Sequence, residues 1–186
     1  MKIIALSFIS LIIFFACSSR EEQLQSVSSS KFSILPTVLD NLNAREALAL
    51  ANKWKTSNPE ITSFIEPDKL IVQFPGKITV EIPLPEDSMM IALAPYVNKT
   101  HPCETHYVSG CQGELVDVSV KVLALQDDGT VLIDQTMKTM ANGFIELWLP
   151  RNKNISLTLE SMNLKSEGEL TTFSDSNTCI TTFQLL

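Results

Sequence analysis

Apolar and polar positions repeat along this chain with two different periods, and the change of period divides it. Between residues 41 and 57 the apolar residues Ala44, Ala47, Leu48, Ala51 and Trp54 recur at intervals of three and four, which predicts one amphipathic helix. Asn43 is placed to cap it, Glu46 falls in its first turn, and Pro59 ends it. Further on the period drops toward two. Residues 69–74 and 77–82, separated by Pro75-Gly76, predict a strand pair. Residues 89–97 predict another strand or a buried extended piece, because Pro83, Pro85 and Pro95 argue against a helix there. From residue 115 onward six short β-runs follow, at 115–125, 130–137, 144–149, 155–160, 168–173 and 179–185. Asp127-Asp128-Gly129 and Asn142-Gly143 predict hairpin turns, and residues 150–154 a third break. Strands near ten residues apart with no helical period between them predict a small sandwich or barrel. The fold class is therefore α+β: a small N-terminal mixed domain over 32–98, then an all-β C-terminal domain over 99–186.

The N-terminus sets the expected compartment. Lys2 is followed by an apolar run over 3–16 that stops at Cys17. A membrane-spanning helix needs ~20 apolar residues, so the shorter run reads as a signal peptide over 1–16. Ala16-Cys17 then reads as a lipoprotein cleavage site with Cys17 acylated, although Phe14 and Phe15 depart from the usual pattern; secretion without a lipid is the alternative. Ser18 carries no retention signal of the aspartate type, which favours the outer membrane in a diderm host. Residues 17–31 are polar and rich in Ser, Glu and Gln, the composition of a flexible tether with nothing to bury. The expected location is the periplasmic side of a bacterial envelope. The net charge of −7 and the lack of a basic stripe exclude nucleic acid as an expected partner.

Cysteine number sharpens the picture. Of four cysteines, an acylated Cys17 leaves three, and three thiols in an exported protein cannot all pair. Two of them, with both histidines of the chain, lie in His101-Pro-Cys103-Glu104-Thr-His106-Tyr-Val-Ser-Gly-Cys111-Gln-Gly-Glu114. Pro102 and Gly110 mark this segment as an irregular loop, where function concentrates. The third, Cys179, opens the last β-run. Thiolate and imidazole suit Cu(I) and zinc rather than magnesium or calcium. A structural zinc site shows paired Cys-x2–4-Cys spacing, and Cys103 to Cys111 is wider, so zinc is the less favoured ion. Glu104 and Glu114 read as solvated charges or outer acceptors, and the methionines as packing.

His101-Pro-Cys103, Cys111-Gln-Gly-Glu114, Asn142-Gly-Phe-Ile-Glu-Leu-Trp-Leu-Pro150 and Asn177-Thr-Cys-Ile-Thr-Thr182 together resemble the CueP family of periplasmic copper-binding proteins. The resemblance covers most of the chain beyond the tether. It implies copper resistance, a dimerising N-terminal part, and Cu(I) held by Cys103, Cys111 and Cys179 in the β domain, with His101 and His106 as further ligands. It does not imply an enzyme. A dithiol such as Cys111/Cys179 could also reduce Cu(II) while closing a disulfide, which would require an envelope thiol-disulfide oxidoreductase to reopen it. A copper-accepting protein and a homodimer are the other expected partners. The alternative reading is a lipid-anchored β-sandwich scaffold or adhesion module, with Cys103–Cys111 or Cys111–Cys179 as a structural disulfide.

Overall fold

Asn43 opens the helix as the spacing predicts. In the computed structural model, which describes residues 34–186, its side chain accepts from the N–H groups of Arg45 and Glu46, and Glu46 returns a carboxylate to the Asn43 N–H. This reciprocal cap satisfies donors that the first turn leaves open. Helix α1 runs Ala44–Ser57 and buries Ala44, Ala47, Leu48, Ala51 and Trp54. A short 3-10 turn, Pro36–Leu39, precedes it. The expected signal peptide, Cys17 and the tether lie outside the described residues.

Eleven strands follow among the described residues: β1 (Thr62–Ile65), β2 (Lys69–Phe74), β3 (Ile78–Pro83), β4 (Ser88–Leu93), β5 (His106–Tyr107), β6 (Ser119–Gln126), β7 (Val131–Lys138), β8 (Ile145–Pro150), β9 (Asn154–Ser161), β10 (Leu164–Thr171) and β11 (Cys179–Ile180). The protein is mostly β with a small helical part near its N-terminus, in agreement with the α+β expectation. Three sheets form, ordered β3-β2-β1-β5, β10-β9-β6-β7 and β11-β4-β8. Residues 36–186 make one compact unit. The three-stranded sheet takes β4 from one side of residue 98 and β8 and β11 from the other, so its hydrogen bonds cross the boundary placed there.

The core follows from alternation. Met89, Ile91 and Leu93 of β4 and Ile145, Leu147 and Leu149 of β8 face Val120, Val122, Ile155, Leu157 and Leu159 of the β10-β9-β6-β7 sheet. Two sheets thus close over one apolar layer as a sandwich, each large side chain contributing roughly 1.5–3 kcal/mol of burial. On the other side, α1 lies against β2 and β3, with Trp54 edge-on to Phe74 at 5.9 Å between ring centroids.

The structure corrects several expectations. Asn142-Gly143 does form a turn, with Gly143 at φ 76°, but it is no hairpin: β7 pairs with β6 and β8 pairs with β4. The turn signal specifies a local reversal, whereas the choice of ladder partner belongs to the sheets. The hairpin between β9 and β10 turns at Met162-Asn163, both at positive φ, a two-residue reversal that lacks the usual Asn-Gly signature. Consequently β10 begins at Leu164, four residues before the expected 168. The last β-run shrinks to Cys179–Ile180, beside β4, plus a bridge from Tyr96 to Gln184. Strands β1 and β5 had no sequence signal, being four and two residues long.

Candidate metal centre

The loop between the two histidines is held by backbone and hydroxyl bonds to the final strand. Strand β5 pairs with β1, placing His106 opposite Ile65. The buried Thr178 hydroxyl accepts from the His106 N–H at 3.0 Å and donates to the Ile65 carbonyl at 2.7 Å. The Glu104 carbonyl accepts from the N–H groups of Thr178 and Cys179. The Thr181 hydroxyl donates to the His101 carbonyl at 2.7 Å. The Asn177–Thr182 motif therefore does more than supply Cys179; its threonines position both histidine segments.

Cys111 is fixed from both sides. Its N–H donates to the Tyr107 carbonyl, and its own carbonyl accepts from Lys55 Nζ, an α1 residue. The Gly113 N–H donates to the Asn142 carbonyl at 2.7 Å, and a Cβ on Gly113 would lie 2.7 Å from the Gly143 carbonyl oxygen. Glycine is required there because two backbones meet without room for a side chain. Glu114 Oε2 accepts from the N–H groups of Val97 and Asn98, which holds its carboxyl below the usual carboxylate range. Glu114 is thus a structural acceptor, as its outer position in the sequence suggested. Burial pulls Lys55 down, with the nearby Cys111 acting against that shift.

All five residues singled out in the sequence come together, in two groups that share one sulfur. His101, Cys103 and Cys111 form a half-buried group; His106, Cys111 and Cys179 form an inner one, with His106 and Cys179 fully buried. Within each, the candidate ligand atoms lie within 4.8 Å of one another. Cys103 Sγ and Cys111 Sγ are 3.5 Å apart, and all three cysteines are free thiols. The structure therefore contains neither of the structural disulfides that the scaffold reading requires.

The electrostatics of the three sulfurs differ. Stabilisation by the Cys179 S–H is the largest influence on Cys111 and holds it well below the ordinary thiol range against the opposing effect of burial; His106 acts in the same direction. Burial chiefly raises Cys103, to about 11. Cys179 rises because its proton is shared toward Cys111 and because it is buried. One thiolate flanked by two thiols is the arrangement in which Cys111 ionises first. His106, expected as a further ligand, is 0% exposed, and neither ring nitrogen has a hydrogen-bond partner. Its ring packs on Phe144 at 4.7 Å between centroids. A buried imidazole with unpaired nitrogens beside a thiolate suits a soft metal ion, because coordination would satisfy one of them.

A mostly β protein that gathers three free thiols and two imidazoles in this way has the donor set of a soft-metal-binding protein. The comparisons specify the class: the family model for the periplasmic copper-binding protein CueP matches residues 47–184, and the chain belongs to that family. A crystal structure titled S.CueP is similar to it over 92% of this chain and 100% of that one, with 27% identity and a TM-score of 0.74. No curated protein matches the chain. Lys55 and Thr178, which position the ligands, carried no chemical signature in the sequence; Thr178 was visible only as the neighbour of Cys179.

Proposed function

We propose that this protein captures Cu(I) in the bacterial envelope, with Cys111 as the central thiolate, Cys103 and Cys179 as further sulfur ligands, and His106 and His101 as imidazole ligands. The observation that carries this reading is the sharing of Cys111 by two candidate ligand groups. Cu(I) accepts two or three soft donors, and a preformed thiolate meets it without having to release a proton first. Copper resistance or copper delivery to an acceptor protein follows from holding the ion in this form. Zinc is the weaker candidate.

The same sulfurs could act as a reductant. Cys111 thiolate and Cys179 thiol would together give one electron to each of two Cu(II) ions and join as a disulfide, releasing the one Cys179 proton; an envelope thiol-disulfide oxidoreductase would then reopen it. Acylation at Cys17 would keep the protein at the membrane, and the N-terminal part would support a homodimer. Titration of the reduced protein with Cu(I) against a competing chelator, for wild type, Cys111→Ser and Cys179→Ser, tests the central reading. Binding that both substitutions weaken supports it; wild-type binding no tighter than that of the mutants would sink it. Counting free thiols before and after Cu(II) tests the reduction, which an unchanged count would rule out.

A further inference from the structure

The Asn142–Pro150 motif has so far supplied a turn and core residues, yet one of its side chains is a charged group in a crowded place. In β8, Ile145, Leu147 and Leu149 enter the sandwich core, so Glu146 and Trp148 point to the opposite face, and Phe144 just before the strand packs against His106. That face is covered by α1: Arg45 lies over the Trp148 ring at 4.1 Å, and Asn52 Nδ2 donates to Glu146 Oε1 at 2.7 Å. Strand register sets Glu146 opposite Ala92, and Ala92 opposite Cys179. The three side chains form one row across the sheet, with the small alanine at its centre.

His106 stands over this same face, against Phe144 and within 4.8 Å of the Cys111 and Cys179 sulfurs through a ring nitrogen. Both ring nitrogens are buried and unpaired. When one binds an ion, the other must carry the proton, and a buried N–H requires an acceptor. Burial raises the Glu146 carboxyl, and after Asn52 it is the His106 charge that opposes this rise, so the ring lies within electrostatic reach.

Resting on the copper-binding reading, we propose that Glu146, held by Asn52, is the positioning residue for His106. Its carboxylate accepts the N–H of the non-ligating ring nitrogen when the imidazole takes Cu(I), fixing the tautomer and the orientation of the ring. Asn52 holds one carboxylate oxygen so that the second can turn to the histidine.

The test uses the full reduced chain and Cu(I) competition with bicinchoninate. Glu146→Leu, close in volume but with neither an acceptor nor a soft donor, should lower Cu(I) affinity ~10–100-fold, the range for loss of an outer partner to a ligating histidine. Glu146→Gln, which keeps an acceptor oxygen, should retain most of the affinity. In a His106→Ala background, Glu146→Leu should lower affinity no further. Nitrogen-15 NMR of the Cu(I)-loaded wild type should show one protonated and one ligating His106 nitrogen, a pattern kept in Glu146→Gln and lost in Glu146→Leu. Should wild type bind Cu(I) tightly, and Cys111→Ser weakly, while Glu146→Leu matches wild type or weakens binding equally without His106, the role of Glu146 is overturned although the copper site stands. Failure of wild type itself to bind would instead remove the underlying reading. Circular dichroism of each variant establishes that it is folded.

Discussion

The two faces of the β11-β4-β8 sheet are built from alternate residues of the same strands, yet they do different work. One face presents Met89, Ile91, Leu93, Ile145, Leu147 and Leu149 to the sandwich core, where any apolar side chain of suitable volume would serve. The other presents Met90, Ala92, Glu146, Trp148 and Cys179, a mixed set covered by α1 and facing the His106 loop. Leu147 on the core face and Cys179 on the other are each 1% exposed, although Glu146 and Trp148 beside Cys179's face are only half-buried. Burial alone therefore does not separate core from site. The separation lies in polar groups without partners, since the described residues on the core side have none and the site side has His106.

Substitutions on each face can break or sharpen this comparison. The largest effect is expected at Cys111→Ser, which removes the sulfur common to both ligand groups; Cu(I) affinity should fall by more than the ~100-fold upper range for outer partners, while the unfolding midpoint of the copper-free protein moves little. Next comes Leu147→Ala on the core face. Urea unfolding should show a loss of about 2–5 kcal/mol from the transfer and cavity effects, with the Cu(I) affinity of the folded protein unchanged. If Leu147→Ala weakened copper binding as much as Cys111→Ser, the two faces would not be functionally distinct.

Gly113→Ala should affect both quantities. Its new Cβ meets the Gly143 carbonyl at 2.7 Å, so the loop must move, costing roughly 1–3 kcal/mol by overpacking and displacing Cys111 two residues away. Thermal unfolding and chelator competition on one sample would read both effects. Smaller still is Asn43→Ala, which removes the α1 cap at a cost of about 1 kcal/mol and should leave copper affinity intact.

A change of pH perturbs the site without mutation. With Cys111 held low and Cys103 and Cys179 held high, iodoacetamide at pH 6 should label Cys111 alone, read by peptide mass spectrometry; equal labelling of the three would refute the ordering. The linkage has two signs. A depressed thiol such as Cys111 contributes stability that is present above its unfolded value and lost as pH falls through the folded one. The raised thiols contribute stability that is present below the ordinary value of about 8.5 and lost as pH rises above it. The reduced protein should therefore be less stable above pH 9 than at neutrality, and Cys103→Ser should blunt that loss.

Much of this was legible in the chain because it is local. The helix at Ala44–Ser57, its Asn43 cap and the strand Lys69–Phe74 follow from period and capping chemistry within a few residues. The concentration of Cys103, Cys111 and both histidines in one segment follows from proximity in sequence. Thus the sequence alone determined the α+β class with its β-rich C-terminal part, the family resemblance and the soft-ligand inventory. What tertiary structure decided is non-local. Whether Cys179 reaches Cys111 depends on β11 lying parallel to β4, and whether His106 is buried depends on a two-residue strand pairing with β1. Lys55, Asn52 and Glu146 gain their roles only because α1 crosses to the loop and the sheet. Side-chain period records which residues turn inward, but the partner across a sheet is chosen by the packing of segments distant in sequence, and no local pattern encodes that choice.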